Sequence, residues 1–306
     1  MSPLSDHVED YLRLRRALGY KLERAGELLP KLVAYLEAAG SATLTTELAI
    51  SWARLPATAR PNHWAARLAV VRGFARYLQT IDPATEVPPA GVFPARRHRP
   101  TPYLWSQPDI CRLLDGARTL RSPLRAATYE ALFGLLTVSG MRVGEAVGLD
   151  RDDVDFDAGV ITIREAKLDR ERLVPLHGTT TVVLRAYAAE RDRLCSEHGS
   201  VAFFVSRAGT RLHRSDVAKT LRRITISMGL RTDIVRPTAH QLRHSFAVRT
   251  LIEWQRSGVS VDERITALSI YLGHVSPADT YWYLSAAPEL MAMAAERLDS
   301  QFGAVR

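Results

Sequence analysis

The chain has 306 residues, 46% apolar and 24% charged, which is enough for two domains with their own cores and gives no reason to expect disorder. A formal charge of +8, from 41 Lys and Arg against 33 Asp and Glu, favours a polyanionic partner, with nucleic acid ahead of an anionic membrane surface. With no apolar run near the roughly 18 residues of a membrane span and no secretory signal, the expected place is the cytoplasm, and Cys111 and Cys195 read as buried thiols rather than a disulfide framework.

Ser2-Pro3 predicts the start of a first helix on which Leu4, Val8, Tyr11, Leu12 and Leu18 share a side, and Gly19 ends it. Leu28, Leu29, Leu32, Val33 and Leu36 mark a second helix closed by Gly40, Thr45 caps a third reaching Trp52, and Pro61 opens a fourth that buries Trp64, Leu68, Val71 and Leu78. These four helices predict one bundle over 1–80. Residues 1–103 contain 14 Lys and Arg against nine Asp and Glu, so five of the eight excess charges fall there, with Arg13, Arg15, Arg16, Lys21 and Arg24 as one group. Such a group is either a solvated helix face or a surface that neutralises phosphates. From 81 to 103 prolines accumulate (Pro83, Pro88, Pro89, Pro94, Pro100, Pro102) around Arg96, Arg97, His98 and Arg99, which predicts a basic, extended linker.

A second domain is expected over 104–306. Ser106 caps a helix through Leu114, and Ser122-Pro123 opens a long apolar one through Val138, broken at Gly140 just before Arg142. Residues 160–163 and 172–176 alternate like two strands, joined by a turn that holds Lys167 among Arg164, Arg170 and Arg172. Helices follow at 179–196 and, from a Ser215 cap, at 216–228, with a short strand at 202–205 between them. Leu242, Phe246, Ala247, Leu251 and Trp254 recur at helical spacing, which puts His240 and Arg243 on one face, a donor-rich face able to hold an anion. Ser260 and Glu263 form a capping box for a helix ending at Gly273, directly before His274. Ser276-Pro277 opens another helix with Tyr283 about two turns along, and a last helix is expected at 287–302.

Taken in order, Ser139-Gly140-Met141-Arg142-Val143-Gly144-Glu145, His240-x-x-Arg243, Leu272-Gly273-His274 and Tyr283 resemble the motifs of the tyrosine site-specific recombinases, the phage integrase family. The resemblance implies a mainly α fold with a small antiparallel β-sheet, in which a SAM-like, core-binding helical bundle precedes the catalytic domain. It also implies six active-site residues. Tyr283 would be the nucleophile that leaves a 3′-phosphotyrosyl link, Arg142 and Arg243 would bind the phosphate, and Lys167 would be the general acid to the 5′-oxygen. His240 would move the tyrosine proton, His274 would hydrogen-bond the phosphate, and Glu145 would brace the site. Neither cofactor nor metal is implied. The implied partners are double-stranded DNA and three further copies in a tetramer on two DNA sites, with an accessory recombinase or DNA-bending protein as a further possibility, in a bacterial cytoplasm at the nucleoid.

Other readings of the same residues remain. Tyr281 is a rival nucleophile two residues earlier, Arg142 could be a helix-start arginine paired with Glu145, and Lys167 could be one member of a DNA-facing basic hairpin. His240 and His244, four apart on a helix, have the spacing of a zinc hydrolase, although Gln241 stands where its catalytic glutamate would be. A type IB topoisomerase would use nearly the same residues, and a non-catalytic DNA-binding protein is a reading from another class. Leu290, Met291, Met293, Ala294 and Leu298 could dock on a neighbouring copy or on their own domain.

Overall fold

Prolines at the first helical position recur at Pro3, Pro61 and Pro123, and each opens a helix in the computed structural model, because a first-turn residue has no intrahelical partner for the N–H that proline lacks. The structure describes residues 3–94, 102–164, 171–195, 199–274, 276 and 278–286. Two units emerge, Met1–Arg99 and Pro100–Arg306.

In the first unit, α1 (Pro3–Ala17), α2 (Glu23–Ala38), α3 (Thr46–Arg54) and α4 (Pro61–Leu78) enclose a core built on Leu29, Leu32, Leu36, Leu44, Trp52, Leu68, Val71 and Phe74. Thr45 caps α3 by accepting from the Leu48 N–H. Leu18, expected on the buried side of the first helix, is 63% exposed, because α1 stops at Ala17 and the chain turns through Gly19 at φ 83°. Arg67 is buried here: its Nη2 donates to the Trp52 carbonyl at 3.0 Å and its guanidinium stacks 3.8 Å from the indole centroid. The proline-rich stretch begins on this bundle, where Arg72 donates to the carbonyls of Pro88 and Pro89 and Phe93 is buried in the core.

The second unit is organised around α6 (Pro123–Ser139), which packs against α5 (Gln107–Arg118), α8 (Gly178–Leu194) and α10 (Ala239–Arg256). Ser106 and Ser122 cap α5 and α6 as their positions predict. A three-stranded antiparallel sheet lies beside them in the order β1 (Val154–Asp155), β2 (Val160–Ile163), β3 (Arg172–Pro175). Its register pairs Ile161 with both Val154 and Val174, so these apolar side chains share the buried face. The first strand is absent from the sequence reading; two residues are too short for an alternation to show. Residues 202–205, expected as a strand, make only single bridges, Asp150 with Ala202 and Val205 with Arg211. α9 (Arg214–Ser227) starts from His213 rather than Ser215. α11 (Val261–Leu272) and α12 (Ala278–Ala286) pack on α10 around Ala247, Val248, Leu251, Leu268, Leu272 and Tyr283. Cys111 is exposed on α5 and Cys195, just past the end of α8, is half-buried against Leu124, Ala202 and Val205, so neither is the fully buried thiol expected. The helix expected at 287–302, with its apolar set, lies outside the described residues.

Candidate active site

Gly140 ends α6 in the left-handed region, φ 60°, and a Cβ there would lie 2.4 Å from Cδ1 of Phe246, so the helix stops where only glycine fits. Its carbonyl, thereby freed from the helix, accepts from Arg243 Nη1 at 2.9 Å. Two residues later Arg142 is the N-cap of the short helix α7 (Val143–Gly148). Glu145 accepts from Arg142 twice, at Oε2 from the backbone N–H (2.8 Å) and at Oε1 from Nη1 (2.7 Å), while Nη2 donates to the Gly273 carbonyl at 2.8 Å.

α10 delivers the next pair. Gln241 accepts from the Thr238 N–H at 2.6 Å and so closes the first turn, which gives the residue in the zinc-glutamate position a capping task. Arg243, 1% exposed, reaches inward, and its Nη2 donates to the Leu272 carbonyl at 2.6 Å. His240 stays at the rim, with its ring centroid 4.6 Å from that of His244. Gly273 ends α11 at φ 65° and turns the chain into His274, whose Nδ1 is 2.6 Å from Thr280 Oγ1. Tyr283, in the second turn of α12, is 3% exposed, its ring 5.9 Å from His274 and 5.2 Å from His244. Tyr281, the rival phenol, is 48% exposed.

The electrostatics follow from two guanidiniums meeting in a half-buried place. Burial, then the charge of Arg142, holds Arg243 down to about 10. Burial, then Arg243 and Arg142, pulls His274 down to about 4 and lowers His240 as well, so both imidazoles are neutral near pH 7. Burial raises the Tyr283 phenol, and the facing Arg243, through charge and a hydrogen bond, acts against that rise. Burial would raise Glu145, but Arg172 and then the donors from Arg142 outweigh it and leave the carboxylate below its ordinary range. A cluster of guanidiniums with neutral imidazoles and a phenol beside them is suited to a phosphate ester: it can neutralise the non-bridging oxygens and present a nucleophile.

Five of the six expected residues, Arg142, His240, Arg243, His274 and Tyr283, thus come together from α7, α10, the turn after α11 and α12. Lys167 lies outside the described residues. The hairpin arginines divide: Arg164 pairs with Asp153 at 2.7 Å, whereas Arg172, grouped with them by sequence, turns inward to Glu145 and the Tyr271 carbonyl and is 12% exposed. Sequence reasoning also missed Thr280, fully buried against His274, and no periodicity could have paired residues six apart across a turn. The cap by Gln241 was legible, since Thr238-x-x-Gln241 is a capping box. Among the described residues no group of three or more His, Cys, Asp or Glu is placed to hold a metal ion, and no helix is long and apolar enough to cross a membrane.

Comparison with known proteins bears on the family and the fold. The model of the phage integrase family matches residues 106–289. A putative integrase/recombinase of Sinorhizobium fredii, y4rB, is 44% identical over 310 residues, 99% of each chain. Tyrosine recombinase XerC of Chromobacterium violaceum is 33% identical over 219 residues, 72% of this chain and 68% of its own. Among solved structures, the Tn1549 transposon integrase in complex with a circular intermediate DNA superposes with a TM-score of 0.62 at 16% identity, covering 95% of this chain and 99% of that one. The XerA recombinase gives 0.52 at 21% identity over 97% and 98%. With the family model spanning more than half of its length and a relative matched nearly end to end, the chain belongs to the phage integrase family of tyrosine recombinases, enzymes that are DNA strand transferases.

Proposed function

We propose that this enzyme cuts and rejoins double-stranded DNA at specific sites and exchanges strands between two duplexes, in the integration or transposition of a mobile element. The observation that carries the reading is the gathering of a buried phenol, Tyr283, its ring 5.9 Å from that of His274, with Arg142 and Arg243, which hold the Gly273 and Leu272 carbonyls directly before that histidine. The Tyr283 oxygen attacks the scissile phosphorus, an O–P bond forms to the 3′-phosphate, and the bond to the 5′-oxygen breaks. The phenolic proton passes to His240, and Lys167 protonates the departing 5′-oxygen. Arg142 and Arg243 stabilise the charge on the non-bridging oxygens, and His274, oriented through Nδ1 by Thr280, hydrogen-bonds one of them. The phosphotyrosyl ester retains the bond energy, so attack by a 5′-hydroxyl from a partner duplex reverses the step without an energy source. With Tyr283 packed on His274 of its own chain, each protomer in this reading cleaves the strand bound to it.

The mobile-element role draws support from the relative called an integrase/recombinase and from the likeness to a transposon integrase seen with circular intermediate DNA. A λ integrase tetramer bound to a Holliday junction is also similar in fold, at a TM-score of 0.60 and 15% identity, and supports assembly as a tetramer on two sites, while the likeness to bacterial recombinases favours the cytoplasm, at the nucleoid, as the place of action. The test is covalent trapping. Labelled duplexes from the DNA flanking the gene, incubated with protein in EDTA and stopped with SDS, yield a protein–DNA adduct with wild type and Tyr281→Phe and none with Tyr283→Phe. An adduct that survives Tyr283→Phe, or specific binding without an adduct from any variant, refutes the mechanism. Relaxation of supercoils with no product joining two duplexes would reassign the enzyme as a topoisomerase.

A further inference from the structure

We propose that Arg172 is a positioning residue for this reaction, acting through Glu145 on the fork of Arg142; the inference rests on the function proposed above. Arg172 stands at the first position of β3, beside a turn rich in arginine, yet its side chain leaves that surface and is 12% exposed. Its Nη2 lies 2.5 Å from Glu145 Oε2 and its Nη1 donates to the Tyr271 carbonyl at 2.9 Å. Its Nε is buried beside Gly273, where a Cβ would stand only 2.8 Å away. One guanidinium therefore joins the sheet, the carboxylate after Arg142 and the turn that carries His274.

The chemistry of the shared carboxylate gives this bridge its purpose. Glu145 has two oxygens and three donors: Oε1 takes Arg142 Nη1, while Oε2 takes both the Arg142 backbone N–H and Arg172 Nη2. With Oε2 occupied, Glu145 holds Arg142 by one nitrogen and leaves the rest of its fork for the Gly273 carbonyl and an incoming phosphate. Without Arg172, the second lone pair of Oε2, beside the one that takes the Arg142 N–H, can close a two-point grip on the Arg142 fork, the preferred geometry of a carboxylate on a guanidinium, which neutralises that charge and turns it from the phosphate. Lysine cannot replace Arg172, because a single ammonium cannot span Glu145 and the Tyr271 carbonyl as a rigid fork does. Arg172 spends both Nη atoms on protein groups and its Nε is buried without a partner, so its effect reaches the phosphate only through its neighbours.

The test compares single-turnover adduct formation by wild type, Arg172→Lys and Arg172→Met on a nicked duplex carrying the mapped cut site. Its scissile group is either the ordinary phosphate or a methylphosphonate, in which a neutral methyl replaces one non-bridging oxygen. On phosphate both variants are expected to form adduct about 100-fold more slowly, the order of loss for a reacting group displaced by about 1 Å, with duplex affinity within about threefold of wild type. On methylphosphonate there is less charge for Arg142 to stabilise, and the deficit should shrink to about tenfold or less. A merely structural role would slow both substrates equally. Should Arg172→Met fail to bind duplex, Arg172→Lys, which keeps charge and bulk, decides alone. A wild-type rate in Arg172→Lys, or an equal deficit on the two substrates, overturns the positioning role and leaves the proposed function standing. No adduct from wild type on either duplex overturns both.

Discussion

Replacing Gly140 by alanine should damage stability and chemistry together, and the size of the effect can be worked out from the structure. Gly140 sits at φ 60°, where an L-residue costs about 1–2 kcal/mol. The added methyl would stand 2.4 Å from Cδ1 and 3.0 Å from Cγ of Phe246 and 3.1 Å from Leu272 Cδ2, so a ring packed in the core must move by about 1 Å, and overpacking of this kind costs about 1–3 kcal/mol. The expected loss is therefore about 2–5 kcal/mol, a large part of the roughly 5–15 kcal/mol that holds a domain folded. Gly134→Ala is the matched control on the same helix: nothing lies within 4 Å of its added Cβ, and a helix-interior alanine gains about 0.5–1 kcal/mol over glycine. Urea unfolding followed by tryptophan fluorescence reads both changes. Because the Gly140 carbonyl accepts from Arg243, adduct formation by folded Gly140→Ala should also fall. A cost below about 1 kcal/mol with an unchanged cleavage rate would refute the argument that this turn sets the position of Arg243.

Three further expectations concern the groups around the phosphate. His274 at about 4 and His240, also lowered, are neutral in the free protein at pH 7; a bound phosphate raises both, so affinity for cognate duplex should increase as pH falls from about 7 to 5, the range below an ordinary histidine pKa. His274→Asn should lose much of that slope in fluorescence-anisotropy titrations, and a flat wild-type profile would contradict the account. Glu145→Gln leaves the guanidiniums of Arg142 and Arg172 without their carboxylate and should cost about 3–5 kcal/mol in urea unfolding, as for a broken buried pair. Since the folded-state pKa of Glu145 is lowered, its contribution is present above the ordinary glutamate pKa and lost as pH falls below it; the variant should show a shallower acid loss of stability, and an unchanged acid limb would count against the ion pairs. Thr280→Val removes the partner of His274 Nδ1 without changing shape and should slow adduct formation about tenfold, a loss of about 1.4 kcal/mol, with duplex binding retained; an unaltered rate would show that His274 needs no such support.

Much of the site was legible because its parts are local. Gly140 and Gly273 break helices wherever they are read, Ser260 caps its helix by accepting from the Glu263 N–H although the Glu263 half of the expected capping box does not form, and His240 and Arg243 share a face three residues apart. Misreadings fell where local signals are short or compete. Residues 202–205 have the composition of a strand but found only single bridging partners, and the two-residue β1 gains its place solely by pairing with β2. Ser215 was a plausible cap, but the cap falls two residues earlier, at His213, and the helix begins at Arg214.

Arg172 marks the boundary between the two kinds of information. Its sequence neighbours Arg164 and Arg170 make it look like one more charge on a basic hairpin, yet it is drawn into the protein because the Oε2 of Glu145, whose Oε1 already holds Arg142, and the Tyr271 carbonyl are both within its reach there. Sequence by itself determined the chemical inventory, the helices that carry it and the family, since residue type, period and capping act over a few residues. Only the tertiary structure decided that the Gly140, Leu272 and Gly273 carbonyls hold the two arginines, that Thr280 holds His274, and that one carboxylate is shared by Arg142 and Arg172. Those are hydrogen bonds between groups up to 131 residues apart, and such partners are chosen by which donors and acceptors packing removes from water together.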